Sequence, residues 1–144
     1  MRRLIVNADD FGLHVAVNQG ILAAHSEGIV SSASLMAGGA AFDDAVRIAK
    51  HCPELGVGVH LTLVGARPVL PAAEVPSLVV ENGDFYGSYP VFLKRFLSGK
   101  IRLAEVEREL AAQLEKIRLA GILPSHLDSH QHLDVFPGIG GSVL

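Results

Sequence analysis

Apolar positions along the chain alternate between two periods. Arg3 to Ala8 is a short β-rich run that meets two carboxylates and Gly12, which predicts a strand followed by a loop. From Val15 to Glu27 the spacing becomes helical, with Val17, Ile21 and Ala24 on one face and Gly28 as a stop. Ile29 to Met36 predicts a second strand, and Gly38-Gly39 a turn. Phe42, Ala45, Val46 and Ala49 mark a second helix. It carries Asp43 and Asp44 in its first turn, where negative charge suits the helix dipole, and it is closed by Pro53.

Gly56 to Val64 predicts a third strand. Its two-residue period puts Val57, Val59, Leu61 and Leu63 on one face and Gly58, His60 and Thr62 on the other. One face suits helices; the other holds an imidazole among small residues. Gly65 to Tyr89 is rich in Pro, Gly and Asn and long for a connection, so it is a candidate lid or insertion. Phe85, Tyr86 and Tyr89 within it suit ordinary packing or stacking on a sugar ring. A short helix follows from Tyr89 to Leu97. A longer one, Leu103 to Ala120, has Leu103, Val106, Leu110, Leu114 and Ile117 as its stripe. Pro124 opens a fourth strand. Strands alternating with helices imply an α/β fold, a parallel sheet with helices outside it and the site at the C-terminal strand ends.

The 144 residues suffice for one domain, and 49% apolar content excludes a disordered chain. No apolar stretch is long enough to span a membrane. The N-terminal apolar run meets carboxylates too soon for a secretory signal, so a cytoplasmic protein is expected. A net charge of −3 without a basic cluster argues against nucleic acid. The single cysteine, Cys52, has no internal disulfide partner and reads as a small apolar filler.

Candidate chemistry lies in three clusters: Asp9-Asp10, His60, and His126-Leu127-Asp128-Ser129-His130-Gln131-His132. If the chain turns at the end of the first strand, both adjacent carboxylates can face one pocket. One then binds a cation while the other takes a proton from water. Receiver domains also carry paired acids after their first strand, but they need an Asp at the end of the third. No Asp occurs here between Gly56 and Arg67. In a regular strand His126, Asp128, His130 and His132 would share one face, with Leu127 and Leu133 on the other. Four ionisable groups on one face are costly to bury without a cation or a polar network. Nitrogen and oxygen donors of this kind suit Zn, Mn, Co, Ni or Mg.

Together, Asn7-Ala8-Asp9-Asp10-Phe11-Gly12, Gly58-Val59-His60-Leu61 and the His126–His132 run resemble the YdjC-like carbohydrate deacetylases. That family includes chito-oligosaccharide deacetylases and a hopanoid-biosynthesis-associated branch. The likeness extends to Gly28–Met36 and to Gly65-Ala66-Arg67-Pro68-Val69. It implies a partial (β/α) barrel related to the polysaccharide deacetylases. It also implies one divalent metal, Mg or Zn, held by Asp10, His60 and His130, with Asp9 as catalytic base. His126, Asp128 and His132 would then support the ligands or touch substrate. The implied activity is removal of N-acetyl groups from an amino sugar or oligosaccharide. An inactive metal-binding remnant and a metal hydrolase of another bond are the alternatives. Two departures stand out. Relatives commonly continue the last motif as His-x-His where this chain reads His132-Leu133-Asp134, and the resemblance covers only the N-terminal half of the family's chains. A half-barrel would expose a sheet edge and an apolar face, so a homo-oligomer is expected.

Overall fold

The computed structural model describes residues 4–136 and 139–142. Its elements are β1 (Asn7–Phe11), α1 (Val15–Ser26), β2 (Ser32–Leu35), α2 (Phe42–His51), β3 (Gly56–Leu61), α3 (Tyr89–Leu97), α4 (Leu103–Leu119) and β4 (Leu127–Ser129), with short 3-10 turns at Ala72–Glu74 and His130–Val135. The strands form one open parallel sheet in the order β1-β2-β3-β4. Doubly wound sheets reverse their strand order; this one advances strand by strand, as an arc of a (β/α) barrel does.

Residue type along each strand decides which face is which. Ala8, Ala33, Leu35, Val57, Val59 and Leu61 point into an apolar layer completed by Ile21, Ala45, Ile48, Val106, Leu110 and Ile117 from the helices. Asn7, Ser34, His60 and Asp128 alternate with them and meet one another on the opposite, polar face. The register places Ser34 beside Gly58 and His60 beside Asp128.

Several expectations need correction. β1 contains the acidic pair within it and runs on to Phe11; the predicted start at Arg3 lies outside the described residues. β2 and β3 are shorter than their apolar runs. β4 has three residues only, because the chain turns at His130 and both Gln131 and His132 are left-handed, with φ of 57° and 54°. A common strand face for His126, Asp128, His130 and His132 therefore does not form. Leu127 and Leu133, expected together on the other face, part company: Leu127 is 46% exposed, whereas Leu133 is buried. Leu103 leaves the stripe of α4 for solvent, at 41% exposure. The departure at Asp134 concerns a side chain outside the description. Among the described residues no helix is long and apolar enough to cross a membrane.

The excursion from Gly65 to Tyr89 is no loose lid. Val75, Leu78, Phe85 and Tyr86 are buried, so for Phe85 and Tyr86 the packing role holds. Its backbone is held by a buried polar row on α4. Glu109 accepts from Val69 N (2.8 Å) and Leu70 N (3.0 Å), and Glu105 accepts from Ser77 N (2.7 Å). Gln113 accepts from Thr62 N (2.9 Å) and donates to Thr62 O (2.7 Å) and to Glu109 Oε1 (2.8 Å). Unpaired amides in this interior would each cost about 1–3 kcal/mol, and these side chains remove that cost.

Burial pushes the Glu109 carboxyl above its ordinary value, against the hydrogen bonds from Gln113, Val69 and Leu70 and the charge of Lys116. A raised folded value means that the native state holds the proton longer than the unfolded chain. Its favourable share is complete below the unfolded value of 4.5 and is lost as pH rises through the higher folded one. Urea melts of the chain and of Glu109→Gln should therefore diverge with pH. The unsubstituted chain is expected to lose stability relative to the variant as pH rises above ~4.5, and a constant difference would contradict this.

Candidate metal centre

The acidic pair owes its arrangement to a break in β1. Pairing with β2 is regular at Asn7 and Ala8 but shifts before Phe11, and Asp10 takes φ +61°. Aspartate tolerates this conformation better than most side chains. The usual alternation is suspended, so both neighbours reach His60. A carboxylate oxygen of Asp9 groups with His60 and Asp128 within 4.8 Å, and Asp10 groups with His60 and His130 within the same limit.

Three donor atoms converge closely. Asp10 Oδ1 lies 3.4 Å from His60 Nε2 and 2.9 Å from His130 Nδ1, and the two ring nitrogens are 3.3 Å apart. Ligands held at ~2.1 Å from one ion in tetrahedral or octahedral arrangement are separated by about 3.0–3.4 Å. The triad therefore fits a cation. Asp10 Oδ1 is buried yet has no aligned hydrogen-bond donor among the described residues, despite the nearness of His130. His60 is 3% exposed, and its Nδ1 sits 2.7 Å from Asp128 Oδ1. The Nδ1–H donates there, leaving the Nε2 lone pair facing Asp10. Two acceptors aimed at one another in a buried site repel unless positive charge lies between them.

Asp128 also accepts from Ser34 Oγ at 2.5 Å, a length typical of a hydroxyl bound to a carboxylate. Burial alone would raise the Asp128 carboxyl. The hydrogen bonds from His60 and Ser34, with the neighbouring His60 and His126 rings, hold it below the ordinary carboxylate value. It is thus an ionised anchor for the His60 ring. Of the other sequence candidates, His126 lies beside Ser34, and His132 is exposed on the left-handed turn beyond the triad.

Beside the triad a cleft of about 780 Å³ opens among the loops that follow β1, β2 and β3. Gly38 lets these loops close on one another: a methyl at that position would lie 2.0 Å from Arg67 O. Gly65 joins the cleft to the triad, since a methyl there would stand 3.8 Å from His130 Nε2. Arg67 and Lys116 line the walls, but each is already engaged. Arg67 Nε pairs with Asp84 at 2.9 Å, and Lys116 Nζ donates to Ala37 O at 2.7 Å and lies over the Phe42 ring.

Asn7 and Ser34 belong to this site, although sequence reasoning gave them no role. A usable signal was the alternation Ser32-Ala33-Ser34-Leu35, which puts serines on the face opposite the core. Read with the small residues around His60, it marks one continuous polar wall.

The chain is 47% identical over 140 residues to a carbohydrate deacetylase of Geobacillus stearothermophilus, covering 96% of this chain and 53% of that protein. It is 44% identical over 147 residues to a carbohydrate deacetylase of Brevibacillus brevis, covering 99% and 54%. A crystal structure from Enterococcus faecalis V583, described as a "putative cellobiose-phosphate cleavage protein", superposes with a TM-score of 0.85 at 39% identity, over 96% of this chain and 52% of that one. The chain thus spans about half the length of the relatives it matches. The model of the YdjC-like protein family matches residues 3–144, and the chain belongs to that family.

Proposed function

We propose that this chain carries the metal-binding and base residues of a hydrolase that removes N-acetyl groups from an amino sugar or oligosaccharide. The observation that carries this reading is the convergence of Asp10 Oδ1, His60 Nε2 and His130 Nδ1, with the Asp9 carboxylate close by. The names of the relatives support an acetylated carbohydrate as substrate class. Asp10, His60 and His130 would hold one divalent ion; two imidazoles and a carboxylate suit Zn, and Mg would need water oxygens besides. When bound, the ion supplies Lewis acidity for the acetyl carbonyl and lowers the pKa of water.

The chain's own residues supply the rest. Asp128 keeps His60 in the tautomer that presents Nε2. Asp9 is exposed, lies outside the triad and receives a hydrogen bond from Asn7 Nδ2 at 2.8 Å, so it remains an available carboxylate. It accepts the proton of the attacking water. The cleft beside Gly65 receives the sugar, and His132, exposed beyond the triad, contacts it. Hydrolysis of a phosphoester is the weaker reading, because the cations lining the cleft are paired with Asp84 and Ala37 O.

Asp9→Asn is expected to cut acetate release from N-acetylated chito-oligosaccharide by at least about 100-fold while zinc affinity, by calorimetry, stays nearly constant. Full activity in this variant would remove Asp9 as the base. His130→Ala should instead abolish stoichiometric zinc binding and, with it, activity; unchanged binding would displace His130 from the ligand set. Self-association is part of the same reading. Among the described residues both edges of the sheet are open, and Leu4, Ile5 and Leu123 near them are 82%, 76% and 88% exposed. Light scattering should give a mass that is a multiple of the 15.2 kDa chain, and a monomer would exclude a homo-oligomer.

A further inference from the structure

Hydrogen by hydrogen, the polar face of the sheet forms a continuous chain. Ser34 is fully buried, and its hydroxyl has one proton to give and two lone pairs to fill. The proton goes to Asp128 Oδ2 at 2.5 Å. One lone pair accepts from Asn7 Nδ2 at 2.8 Å, and the other hydrogen of that amide goes to Asp9 Oδ1, also at 2.8 Å. The remaining lone pair faces His126 Nε2 at 3.2 Å, so this nitrogen must carry the hydrogen. His126 Nδ1 lies 2.9 Å from Ser125 Oγ, whose single proton is shared between this nitrogen and Val57 O at 3.2 Å. At the far end Asp128 Oδ1 receives the His60 Nδ1–H at 2.7 Å. The branch at His126 needs an empty neighbour: a methyl on Gly58 would lie 2.3 Å from its Nε2.

We propose that Asn7 and Ser34 are positioning residues that tie the Asp9 carboxylate to the His60 ring through this single chain, with His126 as the donor that fixes its direction. The proposal rests on the reading of Asp9 as base and His60 as ligand. Five groups then run Asp9–Asn7–Ser34–Asp128–His60; turning the Asn7 amide over would set its oxygen against Asp9 Oδ1, and turning the buried Ser34 hydroxyl away would take a hydrogen bond from Asp128. A displacement at the base is transmitted to the ring that faces Asp10. Base and ligand keep a common setting although they come from different strands.

Two measurements on the full chain decide the matter. In the metal-free protein, long-range nitrogen–proton correlation spectra should show His126 as its Nε2–H tautomer and His60 as its Nδ1–H tautomer. The opposite tautomer at either ring overturns the proposal, and this readout needs no variant to fold. Zinc titration supplies the second. Ser34→Ala should weaken binding about 10- to 100-fold through the loosened Asp128–His60 pair. Asn7→Ala, one link further out, should give a smaller loss that adds less than about twofold in the Ser34→Ala background. Additive losses, or an unchanged affinity in Ser34→Ala, overturn the shared chain. If the unsubstituted chain releases no acetate, the deacetylase reading falls, while the ring tautomers and zinc affinities still decide this one.

Discussion

One interaction sets the chemistry of this molecule: the hydrogen bond from His60 Nδ1 to Asp128 Oδ1. In a neutral imidazole, committing one nitrogen as a donor leaves the other as an acceptor. Nε2 therefore confronts Asp10 Oδ1 with lone pair against lone pair, in a site where His60 is nearly inaccessible to water. Such an arrangement is unfavourable as it stands and favourable once a cation enters. The selectivity of the site for positive charge thus originates one layer behind the atoms that would touch it.

The sheet makes this layering possible. Parallel pairing brings His60 level with Asp128, and Ser34 level with Gly58, so residues distant in sequence become lateral neighbours. The polar face is built from small or hydrogen-bonding side chains, and the opposite face from aliphatic ones that seat the helices. The irregularity in β1 adds what a regular strand cannot, two adjacent carboxylates that both come within reach of His60.

Much of this was legible from residue patterns. The helices follow from apolar spacing, and α3 has the predicted limits because its apolar run ends at Leu97. The three polar clusters do assemble, since strand ends in an alternating α/β chain gather at one edge. The end of β4 was not legible. His126 to His132 alternates as a strand should, yet left-handed backbone at Gln131 and His132 diverts it; neither residue type announces such a turn. Glu105, Glu109 and Gln113 were hidden for a different reason. Polar residues every four positions on a helix normally face water; the amides of Val69, Leu70 and Ser77 explain the burial of Glu109 and Glu105, and the Thr62 backbone that of Gln113. Ser34 escaped notice because its worth lies in what it connects.

The same polar row on α4 has a broader meaning for variation within such a scaffold. It grips main-chain atoms, which every amino acid except proline supplies alike. Outward-pointing side chains of the gripped segment can therefore be exchanged without altering how it is seated. The chemistry of that outer surface is thus separable from the polar face of the sheet beneath it.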